Sequence, residues 1–305
     1  MTTLTENAGT PGAIGTIHNV VVVGAGIMGR GIAHAAALGG YRTILEDILP
    51  ASLRKAEGEI RSNLDKAVEL GKVAKPDADA AFSRIEYAGS VEDAVRQADL
   101  VIEAVPEEIE SKIEIFTLLD KVCKPNTILA TNTSSLSVTE IASVTYRAKK
   151  CLGMHFFNPV HKMKLLEIVR ALETDDETLA ACVEVGKRMG KEVVVVKESP
   201  GFITSRINAM IGNEAFYMLQ EGIASAVDID KALKLGLNHP MGPFELVDLV
   251  GLDTRLHILE YLHRTLGEKF KPSPLLIQYV KAGRLGRKSG RGVFEYAEAP
   301  KAAKQ

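Results

Sequence analysis

No apolar run in this sequence approaches the roughly 20 residues that a membrane-spanning helix requires. There is no basic excess either: 37 Lys and Arg stand against 39 Asp and Glu, a formal net charge of −2. That balance speaks against nucleic acid as a partner. Cysteine is scarce. Cys123, Cys151 and Cys182 are odd in number, lie far apart and lack metal-type spacing, so reduced thiols and a cytoplasmic setting are expected. No two histidines have the spacing of a metal site, and no metal is expected. Internal repeats and low-complexity blocks are missing as well. Residues 1–16 have no basic start followed by an apolar block, and they contain Glu6 but no Arg. A disordered tail is expected there rather than a targeting peptide.

What remains is a chain of 305 residues, 46% hydrophobic and 25% charged, long enough for roughly two domains. Its first half alternates short β-branched runs with longer helical patterns, as in a mostly parallel sheet covered by helices. Strands are expected at residues 19–23, 42–47, 85–87, 100–104, 127–131, 151–157, 165–169 and 193–196. Helical spacing predicts helices over 28–38, 51–70, 111–122 and 178–189. At Ser199-Pro200-Gly201 the pattern changes: serine suits an N-cap and proline the first helical position. Helical patterns follow at 228–235, 244–250, 254–266 and 274–281, with no further strand until 293–296. The expectation is an α/β Rossmann-type domain over 17–198 and a smaller all-helical domain over 199–305.

The run Val20–Val23 leads directly into Gly24-Ala25-Gly26-Ile27-Met28-Gly29. A GxGxxG sequence gains weight from a strand before it and a helix after it. Gly24 permits a tight turn, Gly26 lets backbone approach a pyrophosphate, and Gly29 allows close helix–strand packing. The helix start at Ile27 and Met28 adds unsatisfied amides for the phosphates. Asp47, at the end of the second strand, is placed to accept from ribose hydroxyls, which favours NAD(H) over NADP(H). Arg54 downstream keeps NADP(H) open.

A second constellation lies in Met154-His155-Phe156-Phe157-Asn158-Pro159 and the apolar run containing Glu167. Two strands joined by a Pro-containing turn would bring imidazole and carboxylate together, and a carboxylate on one ring nitrogen fixes the tautomer of a general base. A satisfied core histidine and a surface acid are the alternatives. The strand at 127–131 continues into Asn132-Thr133-Ser134-Ser135, at the end of the sheet where such folds bind ligands. A serine there could bond a substrate oxygen or simply cap the next helix; spacing does not choose between Ser134 and Ser135. Asn208 interrupts an apolar run, and a buried amide needs a partner.

Together with Glu103-Ala104-Val105-Pro106-Glu107, Ser199-Pro200-Gly201-Phe202, His239-Pro240-Met241-Gly242-Pro243 and Gly286–Gly292, these segments resemble the L-3-hydroxyacyl-CoA dehydrogenase family. The resemblance spans residues 18–296. It implies that His155 takes the 3-hydroxyl proton while Glu167 orients it, that Ser134 donates to the developing carbonyl, and that Asn208 holds substrate oxygens or the nicotinamide side. It places Glu107, Lys112 and Asn132 along the cofactor path, although Lys112 also reads as a surface-helix residue. It places CoA near the helix after the second strand, where Arg54, Asn63 and Lys66 lie among acids that would pair with such bases. It further implies an acyl-CoA substrate and a homodimer through the helical domain. Two rivals stand beside it: a dehydrogenase of a CoA-free 3-hydroxy acid, and a catalytically silent cofactor-binding protein.

Overall fold

Val20 to Val23 are each at most 2% exposed, as a strand must be when both faces of its sheet are covered by helices. They form β1 (Asn19–Val23) of an eight-stranded sheet that also contains β2 (Arg42–Glu46), β3 (Ile85–Ala88), β4 (Leu100–Glu103), β5 (Ile128–Thr131), β6 (Cys151–Phe156), β7 (Leu165–Arg170) and β8 (Glu192–Lys197). The strand order is β3-β2-β1-β4-β5-β6-β7-β8. Pairing is parallel throughout except between β6 and β7. The order reverses between β1 and β4, so a crevice opens beyond their carboxyl ends, where open α/β sheets bind ligands. The computed structural model describes residues 17–296; the tail expected over residues 1–16 lies outside the described residues.

Helices cover both faces. One core layer joins the sheet to α1 (Ile27–Leu38), α2 (Pro50–Glu69), α3 (Lys75–Ser83) and α7 (Asp176–Arg188). The other joins it to α4 (Val91–Val95), α5 (Ile109–Val122) and α6 (Val138–Ser143). Helix α2 buries only Ala56, Ile60 and Leu64, four residues apart, and packs that stripe on α1 and α3. Helices α3, α4 and α6 carry too little apolar periodicity to be expected from pattern alone. Two of them start on a polar cap: in α4 Ser90 accepts from Asp93 N, and in α6 Ser137 from Glu140 N, each satisfying an orphan amide of a first turn.

The chain divides into two compact units between Glu198 and Ser199. The second contains α8 (Thr204–Gln220), α9 (Ala226–Gly236), α10 (Pro243–Val250), α11 (Leu252–Leu266) and α12 (Pro274–Lys281) around a core of Phe216, Phe244, Leu259 and Phe270. Two expectations are corrected. Ser199-Pro200 does not open α8: Phe202 N donates to Ser199 O at 2.9 Å in a turn, and helix begins only at Thr204. Nor do residues 293–296 form a strand; isolated bridges Gly286–Arg291 and Arg291–Glu295 fold them into a loop. No helix among the described residues is long and apolar enough to cross a membrane.

Asp248, 1% exposed, fastens that loop. Its Oδ1 accepts from Val293 N at 2.8 Å, while Oδ2 accepts from Phe294 N at 2.9 Å and the Tyr296 hydroxyl at 2.8 Å. Each amide orphaned by losing this carboxylate costs about 1–3 kcal/mol. Asp248→Ala is therefore expected to destabilise the protein by about 3 kcal/mol, read as a lower denaturation midpoint. An unchanged midpoint would mean the loop holds without its clasp.

Candidate active site

The glycine loop after β1 is held from two sides. Gly24 N donates to Glu46 O at 2.8 Å, and Ala25 N to Asp47 Oδ2 at 2.8 Å. Gly24 has φ +98°, and a Cβ there would stand 2.8 Å from Ala104 O of the β4 loop. At Gly29 a Cβ would collide with the Gly24 carbonyl. Nothing lies within 4 Å of the position a Cβ would take at Gly26, and no side chain caps the first turn of α1, where Ile27 is 60% exposed. Asp47 lies just past β2, not within it as expected; its Oδ1 accepts from Leu49 N at 2.9 Å. These features fit a dinucleotide, with backbone amides for the pyrophosphate and a carboxylate for a ribose.

Beside Asp47, Glu46 is 2% exposed and its Oε1 has no hydrogen-bond partner. Burial first, then the negative charges of Asp47 and Glu92, push its carboxyl up to about 7.

The antiparallel register of β6 and β7 sets His155 directly opposite Glu167. The two residues are 6% and 1% exposed, and His155 Nδ1 lies 2.7 Å from Glu167 Oε2. The Phe157 ring flanks the imidazole at 4.4 Å between centroids. Asn132, just beyond β5, accepts from Phe156 N through Oδ1 at 2.9 Å and so fixes β6 next to His155. Because Thr131 pairs with Gly153, His155 lies at the end of β6 that neighbours the loop 132–135.

That loop is organised by carboxylates. Glu107 Oε1 accepts from the Thr133 hydroxyl at 2.6 Å, Ser134 N at 2.7 Å and the Ser134 hydroxyl at 3.1 Å. Ser134 is half-buried, whereas Ser135 is 6% exposed. Ser137, not Ser134 or Ser135, caps the next helix. Lys112 is no surface residue: it is 1% exposed, with Nζ 2.8 Å from Glu103 Oε1 and 3.3 Å from Glu107 Oε2. The alternation of α5 concealed this, because its buried face contains a lysine. Glu103 is the residue that the motif reading missed. It stands in the segment Glu103–Glu107 that carries the resemblance, with no role implied for it there; its further signal is an acid closing the strand Leu-Val-Ile-Glu, all of it buried.

On α2, Arg54 and Lys66 are exposed, while Arg61 is engaged by Asp65 at 3.2 Å and Asp79 at 3.1 Å. Asn63 lines a cleft of about 190 Å³ with Arg30, His34, Glu59 and His161. His34 and His161 stack there at 5.9 Å; burial, His161 and Lys191 push His34 down to about 4, so this imidazole is neutral at physiological pH. Asn208 belongs to the second unit, on α8. It is only half-buried, and its neighbours Ile207 and Met210 are 53% and 38% exposed, so of that apolar run only Ala209 is core.

A glycine-loop crevice at a switch point, with a carboxylate at the second strand's end and an imidazole–carboxylate pair nearby, defines an NAD-dependent oxidoreductase. Residues 19–199 match the family model for the 3-hydroxyacyl-CoA dehydrogenase NAD binding domain, and residues 201–296 that for its C-terminal domain. The chain belongs to the 3-hydroxyacyl-CoA dehydrogenase family. It is 44% identical over 284 residues to a 3-hydroxybutyryl-CoA dehydrogenase of Bradyrhizobium diazoefficiens, covering 93% of this chain and 97% of that one. The mitochondrial hydroxyacyl-coenzyme A dehydrogenase of Sus scrofa is 39% identical over 287 residues, covering 92% and 91% of the two chains. A crystal structure of (S)-3-hydroxybutyryl-CoA dehydrogenase from Ralstonia eutropha superposes with a TM-score of 0.90 at 43% identity, covering 93% of this chain and all of that one.

Glu46 yields a pH signature. Its proton is retained in the folded state from its ordinary value, near 4.5, up to about 7. Stability therefore falls as pH rises through that window, because only the unfolded chain ionises freely there. At about 1.4 kcal/mol per unit, the buried charge costs up to about 3 kcal/mol above neutrality. Glu46→Gln is expected to match wild type near pH 4.5 and exceed it in melting temperature at pH 8.5. A pH-independent difference between the two proteins would contradict the assignment.

Proposed function

We propose that the enzyme oxidises (S)-3-hydroxyacyl-CoA thioesters, with 3-hydroxybutyryl-CoA as its representative substrate, and catalyses the reverse reduction. The observation that carries this reading is the buried His155–Glu167 pair, set opposite one another at the ligand end of the sheet. Relatives named for this substrate, similar over nearly their whole length, support the same reading.

When bound, NAD supplies the hydride acceptor. Gly24, Gly26, Ile27, Met28 and Gly29 would hold its pyrophosphate and Asp47 its ribose, with Glu107, Lys112 and Asn132 shaping the nicotinamide side. His155 commits Nδ1 to Glu167, so proton exchange with the 3-hydroxyl falls to Nε2. Glu167 fixes the ring and balances the imidazolium as it forms. The Ser134 hydroxyl, now on Glu107, would turn to the substrate oxygen, and Asn208 would bind that oxygen or the nicotinamide side. Arg54, Asn63 and Lys66 are assigned to the CoA moiety. Dimerisation is assigned to the helical unit, where α9 exposes Val227.

The test is NADH oxidation followed by absorbance, with acetoacetyl-CoA and with free acetoacetate. Turnover is expected on the thioester only. Turnover of the free acid alone would transfer the enzyme to CoA-free substrates, and none on either would end this reading. His155→Ala is expected to lower kcat by about 10²–10⁴-fold with NADH affinity nearly unchanged; a large loss of NADH binding would remove His155 from the proton-transfer role.

A further inference from the structure

Glu103 closes β4 in register with Thr131 of β5 and Val23 of β1, at the floor of the crevice. It is fully buried. Its Oε1 accepts from Val105 N at 2.7 Å and Lys112 Nζ at 2.8 Å, and its Oε2 from the Thr131 hydroxyl at 2.6 Å. Burial pushes the carboxyl upward, against the pull of Lys112, Thr131 and Val105. An ion pair this deep is a poor device for stability alone, since apolar replacements of similar volume often serve as well. What it does supply is direction.

Lys112 Nζ is pinned between two carboxylates, closer to Glu103 than to Glu107. Glu107, 38% exposed at its side chain, keeps its other oxygen for Thr133 and Ser134. We propose that Glu103 is a positioning residue for the nicotinamide end of the site, acting through Lys112 to hold Glu107 as the acceptor that orders Ser134 and its loop. The proposal rests on the assignment of that loop and Glu107 to the cofactor and substrate given above. Without the charge on Glu103, the ammonium moves onto Glu107 and competes with Thr133 and Ser134 for it. The loop 132–135 then loses its fixed geometry, although no group that touches cofactor or substrate has been changed.

The test is a double-mutant cycle of Glu103→Gln and Glu107→Gln, read by NADH fluorescence titration and by kcat on acetoacetyl-CoA. Each single substitution is expected to weaken NADH binding about fivefold to tenfold and lower kcat. The double is expected to be no worse than the weaker-binding single, because both act on one chain of contacts. Factors that multiply in the double, or a Glu103→Gln enzyme within twofold of wild type in NADH affinity, would overturn the proposal. A loss confined to melting temperature would reduce Glu103 to a structural acid and overturn it too. If Glu103→Gln does not fold, Glu103→Gln with Lys112→Met leaves no orphaned buried charge and carries the same titration; unaltered NADH affinity in it refutes the proposal. The NADH titration does not depend on turnover, so a wrong substrate would silence the kcat readout while leaving the coupling measurable.

Discussion

The hydrogen bond between His155 and Glu167 is the constraint around which the first unit is arranged. Both groups are buried in a sheet, where an unpaired imidazole or carboxylate would be costly. They meet because β7 alone runs against its neighbour, so directly opposed residues face each other at close range. A parallel β7 would need a long crossover and would place Glu167 elsewhere. The short connection between β6 and β7 is thus a chemical decision as much as a topological one. Asn132 adds a third element by tying β5 to the residue after His155.

Carboxylates recur along this sheet in a pattern that a stability argument alone does not explain. Glu46 closes β2, Glu103 closes β4 and Glu167 lies within β7, all at most 2% exposed. Their environments differ sharply. Glu103 has an ammonium, a hydroxyl and an amide; Glu167 has an imidazole; one oxygen of Glu46 has nothing. Glu103 and Glu167 are held by polar partners, whereas Glu46 is an acid that keeps its proton until near neutrality. The same residue type is therefore bonded to polar partners in two places and left with an unpartnered oxygen in a third.

The sheet was legible because parallel strands buried on both faces leave continuous β-branched runs, such as Val20–Val23; the edge strand β8 showed through its four consecutive valines although most of it is exposed. The helices that escaped notice, α3, α4 and α6, are short, and α4 and α6 are capped by polar side chains, so their apolar pattern is slight. The His155–Glu167 partnership was readable from two strands and a turn, since register is local. The Glu103–Lys112–Glu107 chain was not. It joins a strand end, a helix face and a loop across the crevice, and Lys112 sits where periodicity alone suggests an exposed lysine. Ser134 and Ser135 differ in burial, which spacing does not foretell.

The Asp248 clasp has a consequence for the order in which the polypeptide is made. Its partners Val293 and Phe294 lie 45 and 46 residues downstream. At translation rates of about 5–20 residues per second, the carboxylate on α10 emerges about 2–9 s before the amides that satisfy it. Every strand of the sheet, from β1 to β8, precedes that interval in the chain. Order of emergence therefore presents the strands of the sheet before the loop that satisfies Asp248.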